Sequence, residues 1–222
     1  MTTPIAVWKD LCIDAGDVDA QSRFWAAVTG LSVEGPVEHR RLVGPTPGHT
    51  IWVNAVDRPH TVKNRLHLDV DAAHRDDVVA LGATLLAPCE KTGYAWSVMA
   101  DPEGNEFCVF ERGRKVPAYR LHGIGVDCAD ADALAAWWGR VLGTRVVYDW
   151  GWCSLEGVAA DDRMTIDFNV VPEPRTVPNR VHWDLTGDVD ALLAAGATRL
   201  WDMPDWTVLA DPEGNEFCVF PE

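Results

Sequence analysis

From Ile5 to Ile13 the chain alternates between apolar and polar side chains, the two-residue period of a half-buried strand. The pattern then changes. Asp17 is placed to cap a helix over about residues 18–29, and Gly30 to end it. Three short strand-like runs follow, at about 32–35, 38–43 and 50–55. The order then restarts, with a strand over about 65–70, a helix over about 72–81 closed by Gly82, and strands at about 83–87, 94–100 and 105–110. Asp101-Pro102-Glu103-Gly104 joins the last two, with Asp, Pro and Gly at the first, second and fourth positions of a type I turn. The rest of the chain runs through the same order. Its strands fall near 120–128, 144–148, 152–156, 164–171, 180–185, 197–201, 206–209 and 215–220, and its helices near 131–142 and 188–195. Strand, helix and three strands, four times over, predict an α+β protein of four βαβββ modules. Their mixed sheets should curve, with helices outside.

The repetition extends to the letters. Ala100 to Phe110 and Ala210 to Phe220 both read ADPEGNEFCVF. Asn64-Arg65-Leu66-His67-Leu68-Asp69 returns as Asn179-Arg180-Val181-His182-Trp183-Asp184, and Asp14-Ala15-Gly16-Asp17 matches Asp127-Cys128-Ala129-Asp130. A repeat about half the chain in length is a folded unit, not a solenoid turn. We therefore expect a first domain over residues 1–112, a short polar linker over 113–118, and a second domain over 119–222.

Composition narrows the function classes. The formal net charge of −15 argues against nucleic acid, whose phosphates need clustered Lys and Arg, and it permits attraction of cationic ligands. Eleven tryptophans supply indole surface suited to aromatic ligands. No apolar run is long enough to span a membrane, and the first residues lack the pattern of a signal peptide. The six cysteines form no CxxC pair, which suits a reducing cytoplasm.

Side chains alternate across a strand, so Arg65, His67 and Asp69 share one face, as do Arg180, His182 and Asp184. The final strands add Glu106, Cys108 and Phe110, and Glu216, Cys218 and Phe220. Side by side, these faces would gather His, Glu and Cys in one concavity per half. Trp8, Trp52, Trp150 and Trp152 lie on or beside strands that would line it. An ion-paired Arg-His-Asp row also serves simply to hold a sheet face together, and a strand Cys is commonly a small buried hydrophobe.

With these motifs in view, the sequence resembles the vicinal oxygen chelate superfamily, closest to its glyoxalase-like and bleomycin-resistance-like branches. The carriers are Asp127-Cys128-Ala129-Asp130 with Trp137-Trp138 and Gly143, Pro178 to Asp184, and Asp211 to Cys218, together with their first-half equivalents. The resemblance covers nearly the whole chain and implies tandem glyoxalase-like domains. Metal-dependent members place ligands on the first, fifth and eighth strands of a domain. The fifth-strand position maps onto His67 and His182. The eighth-strand Glu maps onto Cys108 and Cys218, a departure from the pattern. The first-strand position falls near Lys9 or Asp10, and near His122 or Gly123, with His122 facing the core unless a bulge turns it. Candidate metal sets are therefore His67, Cys108 and His122, or Asp10, His182 and Cys218, with Zn, Mn, Ni or Fe as candidate ions.

Two readings stand. In the first, a cup holds a small organic molecule, cationic or aromatic, without metal, with Trp52, Arg65, Asp69, Trp150, Trp152, Arg180 and Asp184 as ligand-binding residues. In the second, a divalent metal polarises adjacent oxygens of a substrate in a lyase, isomerase or dioxygenase reaction, with Glu106 or Glu216 as general base. The expected partner is a small molecule, with neither nucleic acid nor membrane, and the protein is a monomer or a homodimer.

Overall fold

A computed structural model describes residues 3–149, 152–158 and 163–221. All four modules are present. The first comprises β1 (Ala6–Ala15), α1 (Val18–Thr29), β2 (Ser32–Glu34), β3 (Arg41–Val43) and β4 (Ile51–Ala55). The second comprises β5 (Leu66–Ala72), α2 (Arg75–Ala80), β6 (Thr84–Ala87), a one-turn helix α3 (Cys89–Thr92), β7 (Ser97–Ala100) and β8 (Glu106–Glu111). The third comprises β9 (Leu121–Cys128), α4 (Ala131–Leu142), β10 (Arg145–Asp149), β11 (Trp152–Glu156) and β12 (Thr165–Val170). The fourth comprises β13 (Val181–Gly187), α5 (Val189–Ala194), β14 (Thr198–Asp202), β15 (Thr207–Ala210) and β16 (Glu216–Phe220).

The two long helices begin and end for the reasons read from the sequence. Asp17 accepts a hydrogen bond from Ala20 N at α1 and Asp130 from Ala133 N at α4, while Gly30 and Gly143 close them with φ of 79° and 64°. Helix α2 starts later than expected, at Arg75, because β5 runs on to Ala72. The run at 38–43 divides into a 3-10 turn over Val37–His39 and the short β3.

The modules pair across the repeats. One sheet has the order β14-β15-β16-β13-β1-β4-β3-β2, joining the first module to the fourth. The other has the order β10-β11-β12-β9-β5-β8-β7-β6, joining the second to the third. Each sheet is therefore built from both halves of the chain. The seams are antiparallel, β1 on β13 with Cys12 opposite His182, and β5 on β9 with His67 opposite Gly125.

One continuous core lies beneath both sheets, because the helices cross between them. Phe24 and Trp25 of α1 pack edge-on against Phe107 of β8, with ring centroids 5.9 Å and 5.1 Å away. Trp138 of α4 meets Trp183 at 4.9 Å and Phe217 at 5.0 Å. Burying such large rings supplies much of the driving force for the fold.

The identical run is explained by structure. Asp101 Oδ1 accepts from the amides of Glu103 and Asn105, each at 2.9 Å, and Gly104 takes a φ of 90° that a side chain would strain. Glu103 then accepts from the amides of Gly16 and Asp17 at 3.0 Å and 2.7 Å, fixing the entry to α1. Asp211 and Glu213 repeat both roles at the entry to α4. Among the described residues no helix is long and apolar enough to cross a membrane.

Candidate functional site

Each sheet has an apolar face toward the core and a polar face away from it. On the first sheet, alternation along β1 and β13 puts Asp10, Cys12 and Asp14 beside His182 and Asp184, with Cys218 next to Asp184 on β16. On the second sheet the matching positions hold Gly123, Gly125 and Asp127 beside His67 and Asp69, with Cys108 next to Asp69. The two polar faces are thus related site by site and differ most at two places: Asp10 against Gly123, and Cys12 against Gly125.

A bulge decides where His122 points. The pairing of β5 with β9 shifts between Asp69 and Val70, so His122 is the extra residue and turns to the polar face. Its Nδ1 lies 3.4 Å from Asp71 Oδ1 and its ring 4.8 Å from that of Phe110. The matching shift between Trp8 and Asp10 swings Lys9 out, where its Nζ bonds Asp10 Oδ2 at 2.7 Å and lies 4.2 Å over the Phe220 ring. Trp8, expected to line a cup, instead packs into the core against Trp183, with ring centroids 6.3 Å apart.

The residues expected to form metal sets are regrouped. On the first sheet the convergent donors are Cys12, His182 and Asp184, all within 4.8 Å of one another. On the second they are His67, Asp69 and Cys108. Neither group includes the first-strand residue that the family resemblance pointed to. Asp10 instead accepts from Lys9 and, at 3.1 Å, from Trp52 Nε1. His122 faces Asp71, which Arg112 Nε also reaches at 2.6 Å.

The other candidates fall out as follows. Glu216 accepts from the Asn179 amide at 3.2 Å and pairs with Arg175, while Glu106 accepts from the Asn64 amide at 3.1 Å and lies 3.4 Å from His60. These carboxylates anchor the two loops before β5 and β13. Arg180 is 6% exposed, pairs with Glu103 and donates to the Arg58 carbonyl. Arg65 is half-buried and lines a cavity of about 280 Å³ between those loops. Trp152 stands on the polar face of β11 opposite Asn169, 38% exposed. Trp150 lies outside the described residues.

A cavity of about 250 Å³ opens over the first sheet. Trp201, Met203, Trp206 and Val208 form one wall, Asp14, Asn54 and Arg58 another, and His182, Glu216 and Cys218 the floor. Trp206 stacks on Phe220 with the rings 26° from parallel and 5.4 Å apart. The sequence reading missed Cys12, Asp14, Arg58, Trp201 and Trp206. Cys12 and Asp14 were within reach of the same alternation that selected Asp10. Arg58 and the tryptophans sit in loops and edge segments without a period to follow.

Electrostatics at the floor follow from burial. Burial, and then the Asp10 charge beside it, push the Asp184 carboxyl up to about 7. Burial pushes Asp14 up to about 6, against the pull of Arg58, whose Nη2 donates to it at 3.1 Å. Burial lowers His182 to about 4, which favours the neutral, metal-binding imidazole. The Cys12, Cys108 and Cys218 thiols are all raised by burial, and next by a neighbouring carboxylate. In each cup a buried carboxylate oxygen lacks a hydrogen-bond partner, Asp10 Oδ1 and Asp184 Oδ1 in the first and Asp69 Oδ1 in the second.

Gly125 gives the second cup its shape. A Cβ there would come within 2.2 Å of His67 Nε2, so the imidazole lies flat on the backbone of β9. Gly125→Ala is expected to lift His67 off the strand. Because only the end of a mobile side chain must move, stability should change by less than about 1 kcal/mol. Imidazole NMR signals and a urea melt check both halves of this expectation.

Comparison with known proteins agrees with this architecture. The glyoxalase-like domain family matches residues 10–110 and again 123–220. Glyoxalase I from Zea mays superposes with a TM-score of 0.67 at 13% identity, over 97% of this chain and 92% of the maize protein. A candidate dioxygenase from Bacillus subtilis superposes with a TM-score of 0.64 at 15% identity, over 99% of this chain and 86% of its own. At these identities the likeness is one of fold. No curated protein matches the sequence. With the family matched over both repeats, the chain belongs to the glyoxalase-like domain family and carries two copies of that domain.

Proposed function

We propose that the first cup binds a small organic molecule, with an aromatic or cationic part held against Trp201 and Trp206. The observation that carries this reading is the cavity of about 250 Å³ that connects an indole wall to the His182, Glu216 and Cys218 floor. Its volume lies just under the range of about 300–1,000 Å³ usual for drug-sized ligands, so the ligand is small. Indole faces favour flat or positively charged groups.

Tryptophan fluorescence titrations with small aromatic ammonium, neutral aromatic and aromatic carboxylate compounds test it. Trp206→Ala is expected to weaken the best binder at least about tenfold, or about 1.4 kcal/mol, with Trp152→Ala without effect. Binding that ignores Trp206→Ala and is lost in Trp152→Ala would move the site to the other sheet.

A second reading, metal-assisted chemistry on adjacent oxygens, is favoured by the unpartnered buried oxygens of Asp10 and Asp184. It draws no support from Glu106 or Glu216 as free bases, since both accept hydrogen bonds from loop amides. Under this reading His182→Ala removes activity and leaves a Trp206-dependent organic ligand bound.

A further inference from the structure

We propose that the cavity at Arg65, between the loops that precede β5 and β13, binds a small monocarboxylate with an apolar tail. The two loops are copies of each other and align from Arg58 and Glu173 to Arg65 and Arg180. Where they meet they leave two related cavities. One, of about 220 Å³, sets Pro59 and Thr61 of the first loop against Val177 and Arg180 of the second. The other, of about 280 Å³, exchanges the roles and sets Pro174 and Thr176 of the second loop against Val62 and Arg65 of the first.

The two cavities differ in what their arginine does. Arg180 is satisfied from within the chain, since it pairs with Glu103 and donates to the Arg58 carbonyl across the seam. Arg65 has neither partner. Its guanidinium makes no ion pair or hydrogen bond among the described residues, although the side chain is half-buried. Glu213, the counterpart of Glu103, accepts from the amides of Ala129 and Asp130 and receives no arginine. Lys63 beside Arg65 is committed to Asp127. A partly desolvated guanidinium without an acceptor forgoes its strongest interactions, and a carboxylate entering the cavity supplies both prongs that the planar fork matches.

The walls decide which anion fits. Val62 and Val177, 40% and 39% exposed, line the cavity from opposite loops, and Pro174 and Pro178 extend this apolar surface. Covering them favours a hydrocarbon tail. Glu173 stands in the same lining, and the chain as a whole carries a net charge of −15. One uncommitted arginine balances one negative charge, so a monocarboxylate is favoured over a phosphate dianion, whose second charge Glu173 repels. Pro178 and Asn179 also line the first cup, so the cavity shares a wall with it but none of the His182 floor.

Saturation-transfer NMR titrations of the full-length protein with hexanoate and with 1-hexanol, and with inorganic phosphate as a competitor, test the proposal. Hexanoate is expected to bind saturably, with 1-hexanol at least about tenfold weaker and phosphate a poor competitor. Arg65→Ala should weaken hexanoate at least about tenfold, Glu173→Gln should strengthen it, and Trp206→Ala should leave it unchanged. Far-ultraviolet circular dichroism and a thermal melt verify that each variant is folded, and Arg65→Gln serves if Arg65→Ala is not. Four results overturn the proposal: no saturable hexanoate binding to the parent protein, binding retained in Arg65→Ala, 1-hexanol as strong as hexanoate, or phosphate displacing hexanoate at lower concentration than hexanoate itself requires. Loss of hexanoate in Trp206→Ala also overturns it, by moving the acid into the cup. Because this site is read through Arg65 and the cup through Trp206, either can fail without the other.

Discussion

An Arg180→Ala variant is expected to lose about 3 kcal/mol of stability, seen as a lower urea midpoint with little change in slope. The arginine side chain is 6% exposed and pairs with Glu103, whose side chain is 19% exposed. Breaking a buried ion pair costs about 3–5 kcal/mol, and the partial exposure of Glu103 puts this one at the lower end. The damage spreads further than the pair. Glu103 also accepts the amides of Gly16 and Asp17 ahead of α1, and Arg180 Nη1 donates to the Arg58 carbonyl. One side chain from the fourth module therefore orders a turn of the second, the helix entry of the first and the loop that carries Arg58. Arg65 occupies the same place in the other repeat but makes no ion pair among the described residues, so Arg65→Ala should cost less than about 1 kcal/mol. If both arginines cost the same, the bridge to Glu103 contributes nothing beyond packing.

A Trp138→Ala variant is expected to be the more damaging, by about 4–5 kcal/mol, and to melt at a markedly lower temperature. Trp138 is fully buried, edge-on to Trp137, Trp183 and Phe217. Its truncation leaves a void that three aromatic neighbours and two strands cannot collapse to fill. It also strips the Nε1–H that Asp211 Oδ2 accepts at 3.1 Å, and Asp211 is buried. Trp138→Phe keeps most of the packing and loses the hydrogen bond, so about half the cost should remain. A calorimetric series of the parent, Trp138→Phe and Trp138→Ala separates the two contributions. Equal losses in the two variants would assign the whole effect to the hydrogen bond.

Most of the fold was legible because its signals are local. Asp17 and Asp130 cap helices within three residues of themselves, and β5 and β13 alternate within their own length. Which module pairs with which is a long-range choice. Pairing within a repeat and pairing across repeats satisfy the same alternation, and only the structure distinguishes them. The same holds for Arg180. Its face on the strand was readable, but its partner, Glu103, is 77 residues away in the other repeat. His122 and Lys9 show the limit of alternation itself, since a single extra residue in a strand turns a side chain to the other face. The longest identical run in the chain encodes a turn and a helix entry, while the cups differ at Asp10 against Gly123 and Cys12 against Gly125.

Pairing across the repeats has a consequence for how two cups can come to differ. Two identical half-chains meeting as a pair would build the same two sheets, and every substitution would appear in both cups at once. Covalent connection removes that constraint, because each sheet then draws on two segments that vary separately. It also replaces a bimolecular meeting by an intramolecular one at high effective concentration, so β1 finds β13 at any dilution. A cup that carries Cys12 and a cup that carries Gly125 can then coexist in every molecule, each free to change while the other stays as it is.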